Sequence, residues 1–169
     1  MPELSGLSDS APDEAALRDL WTSAAGSHNG GATPPGGDHL SRAKTVVKHW
    51  GEERWLVPEG SAFGFKVITI RAGKRTSLQY HRHKEEANLV AAGEGRIYLA
   101  ESPEAPLQAY PLGPGRIVHI RPGTVHRVEA VTDLTLVEVS TPELDDVIRL
   151  EDDLGRGNGR IDAEHRPRP

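Results

Sequence analysis

The chain has 169 residues, of which 36% are hydrophobic and 27% charged, and its formal net charge at pH 7 is -5. This length fits one domain with residues to spare for tails. The absence of cysteine excludes disulfides, thiolate nucleophiles and iron–sulfur clusters, and the acidic balance gives no basic excess for a nucleic-acid partner. Because the sequence has neither a secretory signal pattern nor an apolar run near the roughly 20 residues of a membrane span, we expect a cytoplasmic protein without a membrane partner.

Residues 1–42 are rich in Ser, Gly, Ala, Pro and Asp, which predicts a flexible N-terminal arm. Within this arm, Pro12 to Ser23 has the pattern of one short helix, with Leu17, Leu20 and Trp21 on a single face. Two interpretations stay open: the arm is disordered, or its apolar face docks on the core or on a second subunit.

Residues 43–156 have a different sequence pattern from the arm, and this pattern predicts an all-β domain. Short alternating segments are separated by Gly, Pro and Asn/Asp signals, with no helical period between them, which favours an antiparallel sandwich or barrel. The predicted strands are Lys44–Val57, Phe63–Arg71, Ser77–Tyr80, Ala87–Ala92, Gly95–Ala100, Leu107–Leu112, Ile117–Ile120, His126–Ala130 and Leu134–Val139. The predicted core contains Val67, Ile70, Ile97, Leu99, Val118, Ile120, Val128, Leu136 and Val139. Residues 157–169 are polar and charged, and they predict a mobile C-terminal tail.

A histidine cluster is the strongest chemical signal. His81 and His83 point to one face if the segment is extended, because side chains alternate along a strand. A carboxylate follows closely, either Glu85 or Glu86, and a Pro-Gly turn leads into His126 on a later strand. Three neutral imidazoles and one carboxylate suit a single divalent ion of Fe, Mn, Zn, Co or Ni.

The order of these residues resembles the two motifs of the cupin superfamily, whose fold is a double-stranded β-helix or jelly-roll barrel. The first motif is carried by His81, His83, Glu86 and Gly93, and the second by Gly115, Pro122, Gly123 and His126. The resemblance favours Glu86 over Glu85, because its distance to the following glycine fits the family. The implied metal ligands are therefore His81, His83, Glu86 and His126.

Further segments resemble the type II phosphomannose isomerases, a domain that also forms the C-terminal part of mannose-1-phosphate guanylyltransferases. They are residues 48–55, 72–81, 120–127, 136–139, 145–152 and 155–156. The chain departs from that pattern at Lys84, where the family has arginine, and at Ala87 and Asn88, where it has histidine and tryptophan. The resemblance implies a sugar or sugar-phosphate ligand and a homodimer.

Aldose–ketose isomerisation needs a Lewis acid to polarise the substrate oxygens and a base to move a proton between adjacent carbons. Glu138 is the first candidate base, because it stands in an otherwise apolar strand. His119 is the second, although alternation alone leaves the facing of both residues open. Lys84 joins these catalytic candidates through the family resemblance.

Four residues are candidates for substrate binding. Gln79 precedes His81 by two positions and is expected to share its face. Arg121, Arg127 and Arg149 are cations near the motifs, and a guanidinium fork suits a phosphate or carboxylate. The leading functional hypothesis is a metal-dependent sugar-phosphate isomerase of the phosphomannose isomerase type. An Fe(II)-dependent dioxygenase or another small-molecule cupin enzyme, and a non-catalytic sugar-binding or regulatory cupin, remain as alternatives.

Overall fold

The computed structural model describes residues 43–165. This part of the chain forms eleven strands and ends in one short 3-10 helix, Asp162–His165. The strands are β1 (Lys44–Lys48), β2 (Gly51–Trp55), β3 (Gly64–Ile70), β4 (Leu78–Tyr80), β5 (Glu86–Ala92), β6 (Gly95–Ala100), β7 (Gln108–Leu112), β8 (Ile117–Ile120), β9 (Val125–Ala130), β10 (Leu134–Ser140) and β11 (Ile148–Glu151).

Two antiparallel sheets are built from these strands. One has six strands in the order β1-β2-β3-β10-β5-β8, and the other has five in the order β11-β4-β9-β6-β7. The predicted all-β architecture is confirmed. The first predicted strand is in fact a hairpin, because the chain turns at His49 and Trp50 and Lys48 pairs with Gly51. Strand β11 follows the nine predicted segments and extends the second sheet beside β4.

The apolar core lies between the inner faces of the two sheets. The predicted residues Val67, Ile70, Ile97, Ile120 and Leu136 are buried, and Leu99, Val118 and Val128 pack against the core while partly buried. The prediction for Val139 is wrong, because its side chain is 50% exposed. Inward residues on β10 are Leu134, Leu136 and Glu138, and alternation then turns Val139 outward.

Four residues that are paired across neighbouring strands of the six-stranded sheet form a polar region on its inner face. Trp55 of β2 pairs with Lys66 of β3, Lys66 pairs with Glu138 of β10, and Glu138 pairs with Asn88 of β5. Directly opposite residues on neighbouring strands point to the same face of a sheet. The register therefore places two charged groups and an amide side by side on the inner face.

The described residues include part of the predicted C-terminal tail and none of the predicted N-terminal arm. The predicted arm, residues 1–42 with its helix at Pro12 to Ser23, lies outside the described residues, as do residues 166–169. Within the predicted tail, Glu164 accepts hydrogen bonds from Lys48 Nζ at 2.7 Å and from Arg156 at 2.8 Å. These contacts connect the 3-10 helix to β1, while the mobility of the tail stays a prediction.

The described residues, 43–165, contain no helix that could span a membrane.

Candidate metal centre

A cavity of about 130 Å³ lies between the two sheets. Apolar side chains from both sheets form much of its wall, among them Ile70, Ile97 and Ile120. The polar residues of the wall include His81 and Glu86, which are close in sequence, and His126, which comes from a later strand. A cavity with an apolar wall and a few convergent polar groups is the usual form of a small-molecule site.

His81, Glu86 and His126 come together as a buried group. Their side chains are 1%, 7% and 5% exposed. His81 Nε2 lies 3.6 Å from Glu86 Oε2, and His126 Nε2 lies 3.8 Å from Glu86 Oε1. The candidate ligand atoms of the three residues all lie within 4.8 Å of one another. Two imidazole nitrogens and one carboxylate so placed form a donor set for a divalent transition metal.

Hydrogen bonds fix the orientation of both histidine rings. Nδ1 of His81 faces the backbone carbonyl of Asp146, and Nδ1 of His126 lies 3.0 Å from the carbonyl of Thr124. A carbonyl oxygen only accepts, so each Nδ1 carries a proton, and in the neutral ring each Nε2 then presents a lone pair toward Glu86. His81 Nε2 is buried and has no hydrogen-bond partner. This arrangement fits a metal, whose histidine ligands usually donate their other ring N–H to such a carbonyl.

The electrostatics favour the protonation states that bind a metal. Burial alone would raise the pKa of Glu86, but the Lys84 ammonium holds it well below its usual range. Burial lowers the pKa of His126, although the Glu86 carboxylate opposes this effect. A metal competes with protons for its ligands. An anionic carboxylate beside a neutral imidazole removes much of that competition near pH 7.

The structure does not bring His83 to this group, because its side chain is exposed. The chain bends at Arg82 and His83, and both His83 and Lys84 donate backbone N–H groups to the Asp146 carboxylate, at 2.6 and 3.0 Å. The alternation that would have aligned His83 with His81 is interrupted by this bend. The next residue, Lys84, turns inward instead and is 4% exposed.

Of the two candidate carboxylate ligands, Glu86 is the first residue of β5 and Glu85 precedes the strand. Glu86 faces the interior, whereas Glu85 is exposed and lies 2.6 Å from His119 Nε2. His119 is also exposed, so the structure places this catalytic candidate outside the cavity.

The other two catalytic candidates meet inside the cavity. Glu138 is 4% exposed, and its Oε1 accepts a hydrogen bond from Lys84 Nζ at 3.0 Å. Lys84 also donates to Glu86. Burial alone would lower the pKa of Lys84, but Glu138 and Glu86 raise it above its ordinary value. One ammonium thus connects the candidate base to a candidate metal ligand.

Two of the four candidates for substrate binding line the cavity, and two do not. Gln79 and Arg149 contribute to the cavity wall. Gln79 accepts a hydrogen bond from Ser77 at 2.6 Å, and Arg149 donates to the carbonyl of Gly159 at 2.9 Å. Arg121 is exposed and Arg127 is buried, but neither belongs to the wall.

Arg127 connects β9 to the segment before β4 and to β11. Its side chain donates to the carbonyl of Thr76 and to Glu151, each at 3.0 Å.

The sequence patterns did not predict several charged and polar residues that line the cavity. They are Lys48, Glu53, Lys66, Asn88 and Arg156. Two of them carried a signal: Lys66 occupies an inward position of an apolar strand, and Asn88 follows Glu86 by two positions on β5. The others depend on the β1–β2 hairpin and on the return of the C-terminal segment, which local patterns do not predict.

The family described as Mannose-6-phosphate isomerase C-terminal matches residues 36–152. The mannose-1-phosphate guanylyltransferases RfbM and ManC of Salmonella typhimurium are 29% and 33% identical to the chain, over 63% and 70% of its length. The chain spans less than a quarter of RfbM, at 22%, and 24% of ManC.

The fold has likenesses among solved structures. The capsular polysaccharide assembling protein CapF from Staphylococcus aureus superposes with a TM-score of 0.58 and 20% identity. The match covers 68% of this chain and 33% of that one. At this identity the likeness supports the fold alone.

Proposed function

This chain belongs to the family Mannose-6-phosphate isomerase C-terminal and has the cupin fold predicted from its sequence, and on this premise we propose that it is a metal-dependent sugar-phosphate isomerase. The proposed reaction interconverts an aldose and a ketose by moving a proton between adjacent carbons, with mannose 6-phosphate as the first substrate to test. The observation that carries the proposal is the buried group of His81, Glu86 and His126 beside a second buried carboxylate, Glu138.

His81, Glu86 and His126 would hold one divalent ion of Fe, Mn, Zn, Co or Ni. When bound, such an ion supplies a Lewis acid that polarises the carbonyl and hydroxyl oxygens of the substrate. The buried, unpartnered Nε2 of His81 supports this assignment, because a buried lone pair without a partner is costly unless a ligand satisfies it.

Glu138 would hold the proton during its transfer between the two carbons. A carboxylate is a suitable carrier in a cavity with apolar walls, provided that it reaches the substrate carbons. Lys84 would orient Glu138, since its ammonium donates to Oε1 of that carboxylate at 3.0 Å. The same ammonium contacts Glu86, which keeps the candidate base adjacent to the metal ligands.

The charge of the cavity supports an anionic substrate. Among the described residues of its wall, six cations face four carboxylates, although the chain as a whole has a net charge of -5. The cations are Lys48, Lys66, Lys84, Arg149, Arg156 and Arg160, and the carboxylates are Glu53, Glu86, Glu138 and Asp145. Arg156 and Arg160 are paired with Asp152 and Glu59 outside the wall, so Arg149 is the wall arginine that supports binding of an anion such as a phosphate ester.

The test begins with elemental analysis of the purified protein and of three alanine variants. We expect one metal ion per chain, loss of that ion in His81→Ala, and full occupancy in His119→Ala, whose side chain is exposed. His83→Ala decides whether the exposed histidine acts as a fourth ligand. Full occupancy in His81→Ala would contradict the proposed centre.

Turnover is tested on the same preparations. Mannose 6-phosphate should give fructose 6-phosphate, EDTA should abolish the reaction, and Glu138→Gln should lower kcat while the metal content stays unchanged. Turnover that survives metal removal would contradict the proposal. Metal and ligand binding without any product would favour the sugar-binding alternative.

A second candidate function is favoured by the donor set. Two histidines and one carboxylate also form the ligand set of non-haem Fe(II) oxygenases. Oxygen consumption by the Fe(II)-loaded protein in the presence of sugars would favour the dioxygenase, whereas isomerisation proceeds without oxygen.

A further inference from the structure

Lys66 is a buried ammonium that has charged neighbours without direct hydrogen bonds. It lies on β3 and is 6% exposed. Its Nζ is 3.7 Å from Glu53 Oε2, 3.7 Å from Glu138 Oε1 and 4.8 Å from the ring centroid of Trp55. Hydrogen bonds from nitrogen to oxygen usually span 2.7 to 3.2 Å, so both contacts are too long.

The other two cavity lysines differ from Lys66 in this respect. Lys84 donates to Glu138 at 3.0 Å, and Lys48 donates to Glu164 at 2.7 Å. Within residues 43–165, Lys66 Nζ makes no hydrogen bond to a protein atom. An ammonium has three donors, and Lys66 lines the cavity, so these donors are open to a ligand there. Lys66 therefore has donor capacity directed at the cavity that it lines.

Glu53, Lys66 and Glu138 form a row of acceptor, donor and acceptor along the cavity wall. The two carboxylates stand at the same distance from the ammonium, and all three groups line the cavity, so a small polar group in the cavity can contact the ammonium and one carboxylate together. A hydroxyl group both donates and accepts one or more hydrogen bonds. Two adjacent hydroxyls can each accept from the ammonium and donate to one carboxylate.

We propose that the Glu53–Lys66–Glu138 row binds two neighbouring hydroxyl groups of a neutral polyol part of the ligand. A phosphate is disfavoured at this place because it would lie between two carboxylates. The proposal deepens the proposed function, on which its choice of sugar probes rests, since Glu138 belongs both to the row and to the candidate catalytic pair. It assigns the sugar hydroxyls to Lys66 and leaves the phosphate to Arg149 of the wall.

Calorimetric titrations with D-mannose and, separately, with inorganic phosphate test the row. The wild type is compared with Lys66→Met and with Lys74→Met, an exposed lysine beyond the end of β3. We expect Lys66→Met to weaken mannose binding by roughly tenfold or more, the effect of losing one charged hydrogen bond. Phosphate binding should change less than about twofold, and Lys74→Met should match the wild type for both ligands.

Three results would overturn the proposal. They are mannose binding that is unchanged in Lys66→Met, phosphate binding that weakens as much as mannose binding, and a wild type that binds neither mannose nor mannitol. If Lys66→Met does not fold, monodeoxy mannoses are titrated against the wild type. Removal of one hydroxyl of an adjacent pair should then weaken binding, and uniform affinity across the series would overturn the proposal.

The same titrations on His81→Ala separate this inference from the proposed function. The row contains none of the candidate metal ligands, so His81→Ala should keep its mannose binding after it has lost its metal. Loss of isomerase activity with retained mannose binding supports the row independently of the reaction. Mannose binding that is lost together with the metal would overturn the row as a separate site.

Discussion

Glu53 offers a sharp test of how charge stabilises the barrel. Its side chain is 14% exposed on β2. Burial alone would raise its pKa, but the ammonium groups of Lys66 and Lys48 and a 3.0 Å hydrogen bond from Trp55 Nε1 lower the pKa from 4.5 to about 2. A carboxyl whose pKa is lowered by folding stabilises the folded state above its unfolded pKa. That stabilisation is lost as the pH falls toward 2.

The magnitude follows from the shift. A difference of about 2.5 pKa units corresponds to about 3 kcal/mol between the ionised and protonated forms. Glu53→Gln resembles the protonated carboxyl, so it should lower the free energy of unfolding by about 3 kcal/mol at pH 7. At pH 3 the wild type has itself lost much of this contribution, and the difference should shrink to about 1 kcal/mol.

Urea denaturation at pH 7 and pH 3, in the presence of EDTA, measures both differences. The matched control is Glu52→Gln on the same strand, since Glu52 faces outward, is 32% exposed and pairs with Arg54. An exposed pair of this kind contributes about 0 to 1 kcal/mol. The reasoning fails if Glu53→Gln and Glu52→Gln cost the same at pH 7, or if the Glu53→Gln difference does not shrink on acidification.

Two further predictions concern backbone and core. Gly93 has a φ of +81°, and an added Cβ would lie 2.0 Å from the Asp133 carbonyl oxygen. Gly93→Ala should therefore lower the free energy of unfolding by at least about 2 kcal/mol more than the control Gly60→Ala. Gly60 has a similar φ of +87° with no atom within 4 Å, and equal costs in chemical denaturation would contradict this steric argument. Ile70 is 0% exposed, and Ile70→Ala should cost about 2 to 5 kcal/mol. Ile117→Ala, at a side chain that is 67% exposed, should stay below about 0.5 kcal/mol, and a comparable loss at both positions would refute the assigned core.

Much of the fold was predictable because its signals are local. Alternating apolar residues between Gly and Pro turns indicated strands, and the two antiparallel sheets confirm that architecture. The spacing of His81, Glu86 and His126 likewise singled out residues that the structure brings together, and their binding of a metal stays a proposal. The homodimer implied by the resemblance also stays a prediction.

The direction of each strand side chain, toward the core or toward solvent, was harder to predict. Alternation tells which residues share a face of a strand but not which face is buried. On β10 the structure places Glu138 in the set of residues that points inward and Val139 in the set that points outward. At the end of β4 the bend at residues 82–83 breaks the alternation, so Lys84 rather than His83 enters the cavity.

By itself, the sequence determined most of the segments that become strands and which residue types are available for a metal, although it did not predict the turn between β1 and β2 or the strand β11. Only the tertiary structure decided how the charges pair. Lys66 and Glu138 are neighbours because β3 and β10 are adjacent with one particular register, although 72 positions separate them in the chain. Glu53 reaches Lys66 through the pairing of β2 with β3. Such contacts depend on long-range strand order, which local patterns do not encode.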